Sequence, residues 1–473
     1  MKEYQLLIEG KWEKSKDRRE IKSPYDQSAV GTVHFAERDQ VERAIDAADK
    51  AFKETKKLSS YERAGVLEKI SSSIDKRREE LARSIVLQGG KPIKSARVEV
   101  GRAVNTFKIA SEEAKRLGGE IIPLDLSPQT EERWGLVRRF PIGVVSAISP
   151  FNFPLNLVAH KVAPAFAVGN TVVLRPSSQV AITSLMLGEI VNETDYPAGG
   201  LNIVPSGYEA AEILLTDERV KKVTFTGSPA VGWELKRKAY RKKVTLELGG
   251  NAAVVIEPDA NFDYALERTV LGSFSYAGQI CISIQRMFLH RKIYDRFMAA
   301  FLEKAKKLKL GDPLDEETDI GPMIDEGAAK KTEEWVQEAV ENGARILCGG
   351  RREGSMYEPT VLENVKPELR ISWLEAFAPV VVVYPYEDFE QALRGVNNSI
   401  YGLQAGIFTS ELKKAFRAFE ALDVGGVIIN DIPTFRIDHM PYGGVKESGF
   451  GREGIKYAIE EMTEPKLLAL NLK

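Results

Sequence analysis

Gly143-Val144-Val145-Ser146-Ala147-Ile148-Ser149-Pro150-Phe151-Asn152-Phe153-Pro154 runs from a short apolar strand into a stiff turn bounded by prolines. The same grammar recurs downstream. Strand-like runs at 171–174, 201–204, 222–225 and 244–248 alternate with spacers of helix length, the signature of a parallel sheet with crossover helices. Such sheets bind ligands beyond the carboxyl ends of their strands. Polar turns fall there: Ser149 to Pro154 after the first strand, Arg175-Pro176-Ser177-Ser178 after the second, Thr226-Gly227-Ser228 after the fourth. A second alternating set follows from Asn251 to about Asn430, with runs at 286–290, 344–348, 379–383, 406–408 and 427–429.

Upstream, from Arg38 to about Leu117, apolar residues recur at three and four positions amid dense Lys and Glu, which predicts helices broken once at Gly89-Gly90-Lys91-Pro92. Between 117 and 141 the pattern turns to two extended pieces, 120–124 and 134–138, around a polar turn. They form a hairpin leaving the domain body. The apolar piece 466–472 is a further strand whose bare edge needs a subunit contact to cover it.

At 473 residues the chain exceeds one core, and 43% hydrophobic residues supply two or three. Lys plus Arg number 66 and Asp plus Glu 68, a net charge of -2, so nothing draws the molecule to nucleic acid or anionic membrane. Two cysteines, Cys281 and Cys348, are no disulfide framework and point to a reducing, cytoplasmic setting. The charged start Met1-Lys2-Glu3-Tyr4 is no signal peptide, and no apolar run is long enough to span a membrane. There is no G-x-x-x-x-G-K-[ST], no H-E-x-x-H and no paired C-x-x-C. The four histidines are scattered, so no metal is expected.

Three residues carry the chemistry. Cys281 ends Ser275-Tyr276-Ala277-Gly278-Gln279-Ile280-Cys281 among small residues, with the amides around Gly278 and Gln279 as the expected source of activation. It reads either as a reactive thiol or as a small buried hydrophobe. Glu247, in Leu246-Glu247-Leu248-Gly249-Gly250, is a lone carboxylate in an apolar strand: a base whose pKa burial raises, or a paired structural carboxylate. Asn152 places an amide donor on a stiff turn, fit to hold an oxyanion.

In order along nearly the whole chain stand P-x-N-F-P (150–154), F-T-G-S (225–228), E-L-G-G (247–250), G-Q-x-C (278–281), E-x-F-x-P (375–379) and P-x-G-G-x-K-x-S-G-x-G-R-E (441–453). Six collinear motifs resemble the aldehyde dehydrogenase superfamily. The resemblance implies an α/β fold: two Rossmann-like doubly wound domains, one for cofactor and one catalytic, with a small β oligomerisation element. The expected divisions are 1–118 with 142–249 for cofactor, 250–445 for catalysis, and 119–141 with 446–473 for bridging between subunits of a homodimer or homotetramer. It also implies that Cys281 attacks the aldehyde, Asn152 and the Cys281 N–H hold the oxyanion, and Glu247 activates water. Ser149, Pro150, Phe151, Arg175, Ser177, Ser178, Phe225, Gly227, Ser228, Gly232, Leu248, Glu375 and Phe377 are the implied cofactor contacts.

The chain departs from the family at Phe151, at Pro229, for which the sequence offers no account, and at Ser178, where the family carries an acidic partner for the adenosine ribose. With Arg175 beside it, Ser178 points to NADP, NAD remaining possible. Residues 156–164 and 433–441 resemble the lactaldehyde branch. The substrate expected is a small polar aldehyde, lactaldehyde- or glyceraldehyde-like or a semialdehyde, met by Arg102, His160, Ile280, Ile282 and Arg436. A coenzyme A-acylating relative typically lacks the Glu247 base. A non-catalytic structural protein on the same fold would not need Cys281, Glu247 and Asn152 together.

Overall fold

The computed structural model describes residues 2–473. Its larger sheet orders eight strands as Gly449–Phe450, Lys243–Glu247, Val220–Thr226, Val144–Ile148, Thr171–Arg175, Leu201–Ile203, Leu6–Ile8 and Lys11–Glu13. The first and the last two pair antiparallel; the five between them are parallel. Along the chain these five build outward from Val144–Ile148 first to one side, then to the other. The reversal between Val144–Ile148 and Val220–Thr226 opens a crevice at their carboxyl ends. Val144–Ile148 is buried at every residue, as a strand covered on both faces must be. One cover is the helix Asn156–Val168, all 13 residues of which are buried, packed with Ser60–Lys76 and Ile93–Arg116 in a single apolar core.

The second sheet orders Arg345–Cys348, Thr360–Glu363, Val380–Tyr386, Ile284–His290, Ala252–Ile256, Gln404–Phe408 and Gly426–Ile429, all parallel except the first. The link Leu248 to Asn251 joins the carboxyl end of Lys243–Glu247 to the amino end of Ala252–Ile256. Cys281 and Glu375 likewise precede Ile284–His290 and Val380–Tyr386. The carboxyl ends of one sheet therefore face the amino ends of the other.

The expected hairpin is present as Gly119–Pro123 with Arg133–Pro141, and Thr463–Asn471 pairs along the latter. Successive side chains of a strand point to opposite faces. Leu467 and Leu468 are 51% and 54% exposed, so both faces of this small sheet are bare. The small sheet takes less of the C-terminal stretch than the 446–473 expected. Gly449–Phe450 extends the larger sheet, and the helix Ile455–Glu461 sends Ile455 and Ile459 into the core beneath it. Only 463–471 belongs to the small sheet. The short strands before Arg38 include Asp17–Lys22, where charged residues mask the period of two, and Ala29–Phe35.

Candidate active site

Ser275 to Cys281 is held in a backbone that few residues tolerate. Tyr276, Ala277 and Gly278 have φ of 50°, 51° and 66°, the left-handed region that costs a non-glycine about 1–2 kcal/mol per residue. The turn is fixed from outside. Tyr276 Oη donates to Gly89 O at 2.9 Å, Asn152 Nδ2 donates to Gln279 O at 2.9 Å, and Ile324 N–H donates to Gln279 Oε1 at 2.8 Å. Glycine is required at 278, where a β-carbon would lie 2.0 Å from Ala378 O. The Gln279 N–H bonds to Tyr276 O, so it does not activate the thiol as expected from sequence. Burial instead pushes the Cys281 thiol up to about 11, partly opposed by the Tyr442 hydroxyl 3.0 Å from Sγ.

Glu247 ends the strand Lys243–Glu247 with 3% exposure, and neither carboxylate oxygen has a hydrogen-bond partner among the described residues. Burial, and then the charge of Glu453, raise its pKa well above the ordinary carboxylate range, against the opposing pull of Arg436 and Lys161. The two glycines that follow let other groups close in. A β-carbon at Gly249 would lie 2.5 Å from Glu375 Oε2, and one at Gly250 2.1 Å from Cys281 O. Glu375 Oε1 accepts the Gly250 N–H at 2.9 Å, and burial raises its pKa to about 7.

Cys281, Glu247 and Asn152 line one cavity of about 390 Å³, together with Pro150, Phe151, Gly227, Ser228, Leu248, Glu375 and Phe377 toward the crevice, and Arg102, Ile280, Ile282 and Arg436 on the other side. Phe151 and Phe377 meet edge to face at 5.8 Å. Arg175 and Phe225 line a second cavity of about 400 Å³ beyond the crevice, with Tyr208, Leu215 and Lys238. Arg175 Nε donates to Ser206 O at 3.1 Å, and its guanidinium lies 5.0 Å from the centre of the Tyr208 ring. Gly232 packs beneath Leu248, where a β-carbon would lie 2.3 Å from Cδ2. Ser228 stands at the N-cap position of the helix Pro229–Lys238 without a side-chain cap, and Pro229 follows in its first turn, where a missing N–H costs nothing. That accounts for Pro229.

Five expected contacts line neither cavity. Ser149, Ser177, Ser178 and Gly232 are outside both linings, Ser178 starting a short 3-10 turn. His160 is 1% exposed behind the wall, with Nε2 2.9 Å from Asp438 Oδ1. Burial first, and then Arg436, lower its pKa, which leaves it neutral. Its role is to hold Asp438, which in turn accepts from Arg102 Nη2 at 2.6 Å.

Three residues of the site were not singled out from sequence. Lys161, within the apolar helix Asn156–Val168, donates to Glu453 Oε1 at 2.9 Å, and Arg436 Nη2 donates to Glu453 Oε2 at 3.2 Å. A lysine inside so apolar a run is the signal that would have found the pair. Tyr442 occupies the variable position of P-x-G-G. Among the described residues no cluster of His, Cys, Asp or Glu could hold a metal ion, and no helix is long and apolar enough to cross a membrane.

The family model described as the aldehyde dehydrogenase family matches residues 12–468. The chain belongs to the aldehyde dehydrogenase family. It is 45% identical to the 3-sulfolactaldehyde dehydrogenase of Priestia aryabhattai over 473 residues, covering 100% of this chain and 99% of that one. Among solved structures it resembles aldehyde dehydrogenase 21 from Physcomitrella patens in complex with the reaction product succinate, with a TM-score of 0.97 and 45% identity, covering 99% and 98% of the two chains. It also resembles the NADP-dependent glyceraldehyde-3-phosphate dehydrogenase from Bacillus halodurans complexed with NADP, with a TM-score of 0.97 and 34% identity, covering 100% of both. An aldehyde dehydrogenase requires a nucleophile, an oxyanion donor and a base at one place. This cavity brings Cys281, Asn152 and Glu247 together.

Proposed function

We infer that the chain oxidises a small polar aldehyde with an anionic tail to its carboxylic acid, using NADP in preference to NAD. The observation that carries this reading is the unpartnered carboxylate of Glu247 facing the same cavity as Cys281. Cys281 Sγ adds to the aldehyde carbon, and the carbonyl electrons move to oxygen, where the second N–H of Asn152 Nδ2 and the Cys281 N–H hold them. Gly227, Ser228 and Glu375 would hold a nicotinamide dinucleotide, which would supply the hydride acceptor and so leave a thioester on Cys281. Glu247 then takes a proton from water as its oxygen attacks the thioester, and the collapse frees the acid and the sulfur. A coenzyme A-acylating enzyme has no use for such a base.

The tail is assigned from charge. Arg102, Arg436 and Lys161 face only Asp438 and Glu453 as strongly ionised partners, since Glu247 is biased toward its neutral form. One positive charge is in excess, and the buried Nε of Arg436 has no partner. Sulfolactaldehyde, glyceraldehyde-3-phosphate and succinate, named for three of the relatives, are anions, whereas the lactaldehyde of another is neutral. Reduced-cofactor absorbance with succinic semialdehyde, lactaldehyde and propanal tests the reading. The anionic aldehyde is expected to give the highest kcat/KM without coenzyme A. No reduction, or reduction only with coenzyme A, contradicts it.

The two cavities and the glycine cradle at Gly227, where a β-carbon would lie 2.5 Å from the Phe225 ring, fit a dinucleotide laid across the crevice. Support for NADP comes from the Nη groups of Arg175, which make no hydrogen bond to the described residues, and from the absence of a carboxylate at 178. Ser178→Glu should shift kcat/KM toward NAD by about tenfold, one charge-assisted hydrogen bond's equivalent. The bare faces of the small sheet suit assembly with a second copy as a dimer or tetramer. A monomeric mass by light scattering would contradict that. Two unpaired cysteines suit the cytoplasm.

A further inference from the structure

The sulfur of Cys281 has one hydrogen-bond partner among the described residues, and it is neither a histidine nor a lysine but the hydroxyl of Tyr442 at 3.0 Å. We propose that Tyr442 is a catalytic residue: its O–H donates to the Cys281 sulfur and stabilises the thiolate that attacks the aldehyde. The proposal rests on the reading of Cys281 as nucleophile. The ring is 3% exposed and belongs to the turn that also brings Gly443 against Glu247, so the hydroxyl is not free to swing into solvent.

The donor is strengthened from behind. The Arg436 guanidinium lies 3.6 Å from the centre of the Tyr442 ring, and a cation on the ring face draws electron density from the phenol. Arg436 is itself anchored to Glu453. The other charged groups facing the sulfur are Glu247 from the strand Lys243–Glu247 and Glu375 from the segment before Val380–Tyr386, with Lys331 near Glu375. The two carboxylates disfavour a thiolate, and Arg436 and the Tyr442 hydroxyl favour it. Burial and the facing sulfur keep the tyrosine protonated, so it acts as a donor and not as a base. When the thiol ionises, its proton leaves to water, and Tyr442 keeps its own.

The test is alkylation of the whole protein by iodoacetamide as a function of pH, in which the thiolate displaces iodide and a C–S bond replaces the C–I bond. Mass spectrometry locates the modification, and aldehyde oxidation is followed alongside. In Tyr442→Phe, which keeps the ring under Arg436, the midpoint of the alkylation profile should rise by about 1 to 2 pH units, so reaction at neutral pH slows by about ten- to a hundred-fold. Site-specific 3-fluorotyrosine at 442, a stronger donor of nearly the same shape, should lower the midpoint. A role confined to packing would move neither profile. Unchanged midpoints, or faster alkylation in Tyr442→Phe, overturn the proposal. Alkylation of Cys281 that leaves oxidation intact would instead defeat the reading of Cys281 as nucleophile, whatever the tyrosine does.

Discussion

Glu247 and Glu453 are 3% and 2% exposed, yet their surroundings drive them in opposite directions. Burial alone would raise both. At Glu453 the Lys161 ammonium meets one oxygen and the Arg436 guanidinium the other, and together they hold it well below the ordinary carboxylate range. At Glu247 neither oxygen is bonded, and the nearby charge of Glu453 adds to the effect of burial. Two carboxylates whose pKa values are pushed apart divide the labour: one is a fixed counter-charge, the other a group that takes up and gives back a proton. The charge of Glu453 bears on Glu247, so each can be tested through the other.

Removing the thioester that Glu247 serves should have the largest effect. Cys281→Ala should lower kcat by on the order of 10⁴-fold or more, as expected when a covalent step is lost. Cys348→Ala should leave it unchanged, since that thiol is packed in an edge strand. Activity surviving in Cys281→Ala would leave Glu247 nothing to hydrolyse.

Glu453→Gln sharpens the comparison with a smaller effect. Glu247 works ionised, so thioester hydrolysis rises with pH through its pKa. Removing the charge of Glu453 lowers that pKa, and the rise should move to lower pH in single-turnover hydrolysis. A rise that stays in place would show that the two carboxylates are not coupled.

Stability gives the smallest signal. The fold raises the pKa of Glu247 above its unfolded value, so it favours the protonated form, and that preference is lost as pH rises through the folded pKa. Glu247→Gln escapes the loss, and its Tm on the alkaline side should exceed that of the wild type by about 2 °C. A lower Tm would mean that the carboxylate has a partner there.

The difference between the carboxylates was only half legible in the sequence. Glu247 stood out as a charge in an apolar strand before two glycines, and the alternation of strands and helices announced both sheets. Glu453 lay in a motif read for its pattern, and its partner Lys161 sits in a helix whose complete burial appears only once the second layer covers it. Arg436 was legible as a cation but not as a plate on the Tyr442 ring. His160 is expected from sequence to meet the polar tail of the substrate, yet its Nε2 lies 2.9 Å from Asp438 Oδ1. Contacts between residues hundreds of positions apart, such as Lys161 with Glu453, leave no local period to read.

Rapid mixing of Glu247→Gln with NADP and an anionic aldehyde tests the central claim most directly. Cys281 should still form the thioester, so one fast turnover of reduced cofactor is expected, after which steady turnover should fall by about 10² to 10⁴-fold, the usual contribution of a general base. A steady-state rate equal to that of the wild type, or loss of the first turnover as well, would contradict the assignment of Glu247 to hydrolysis of the thioester.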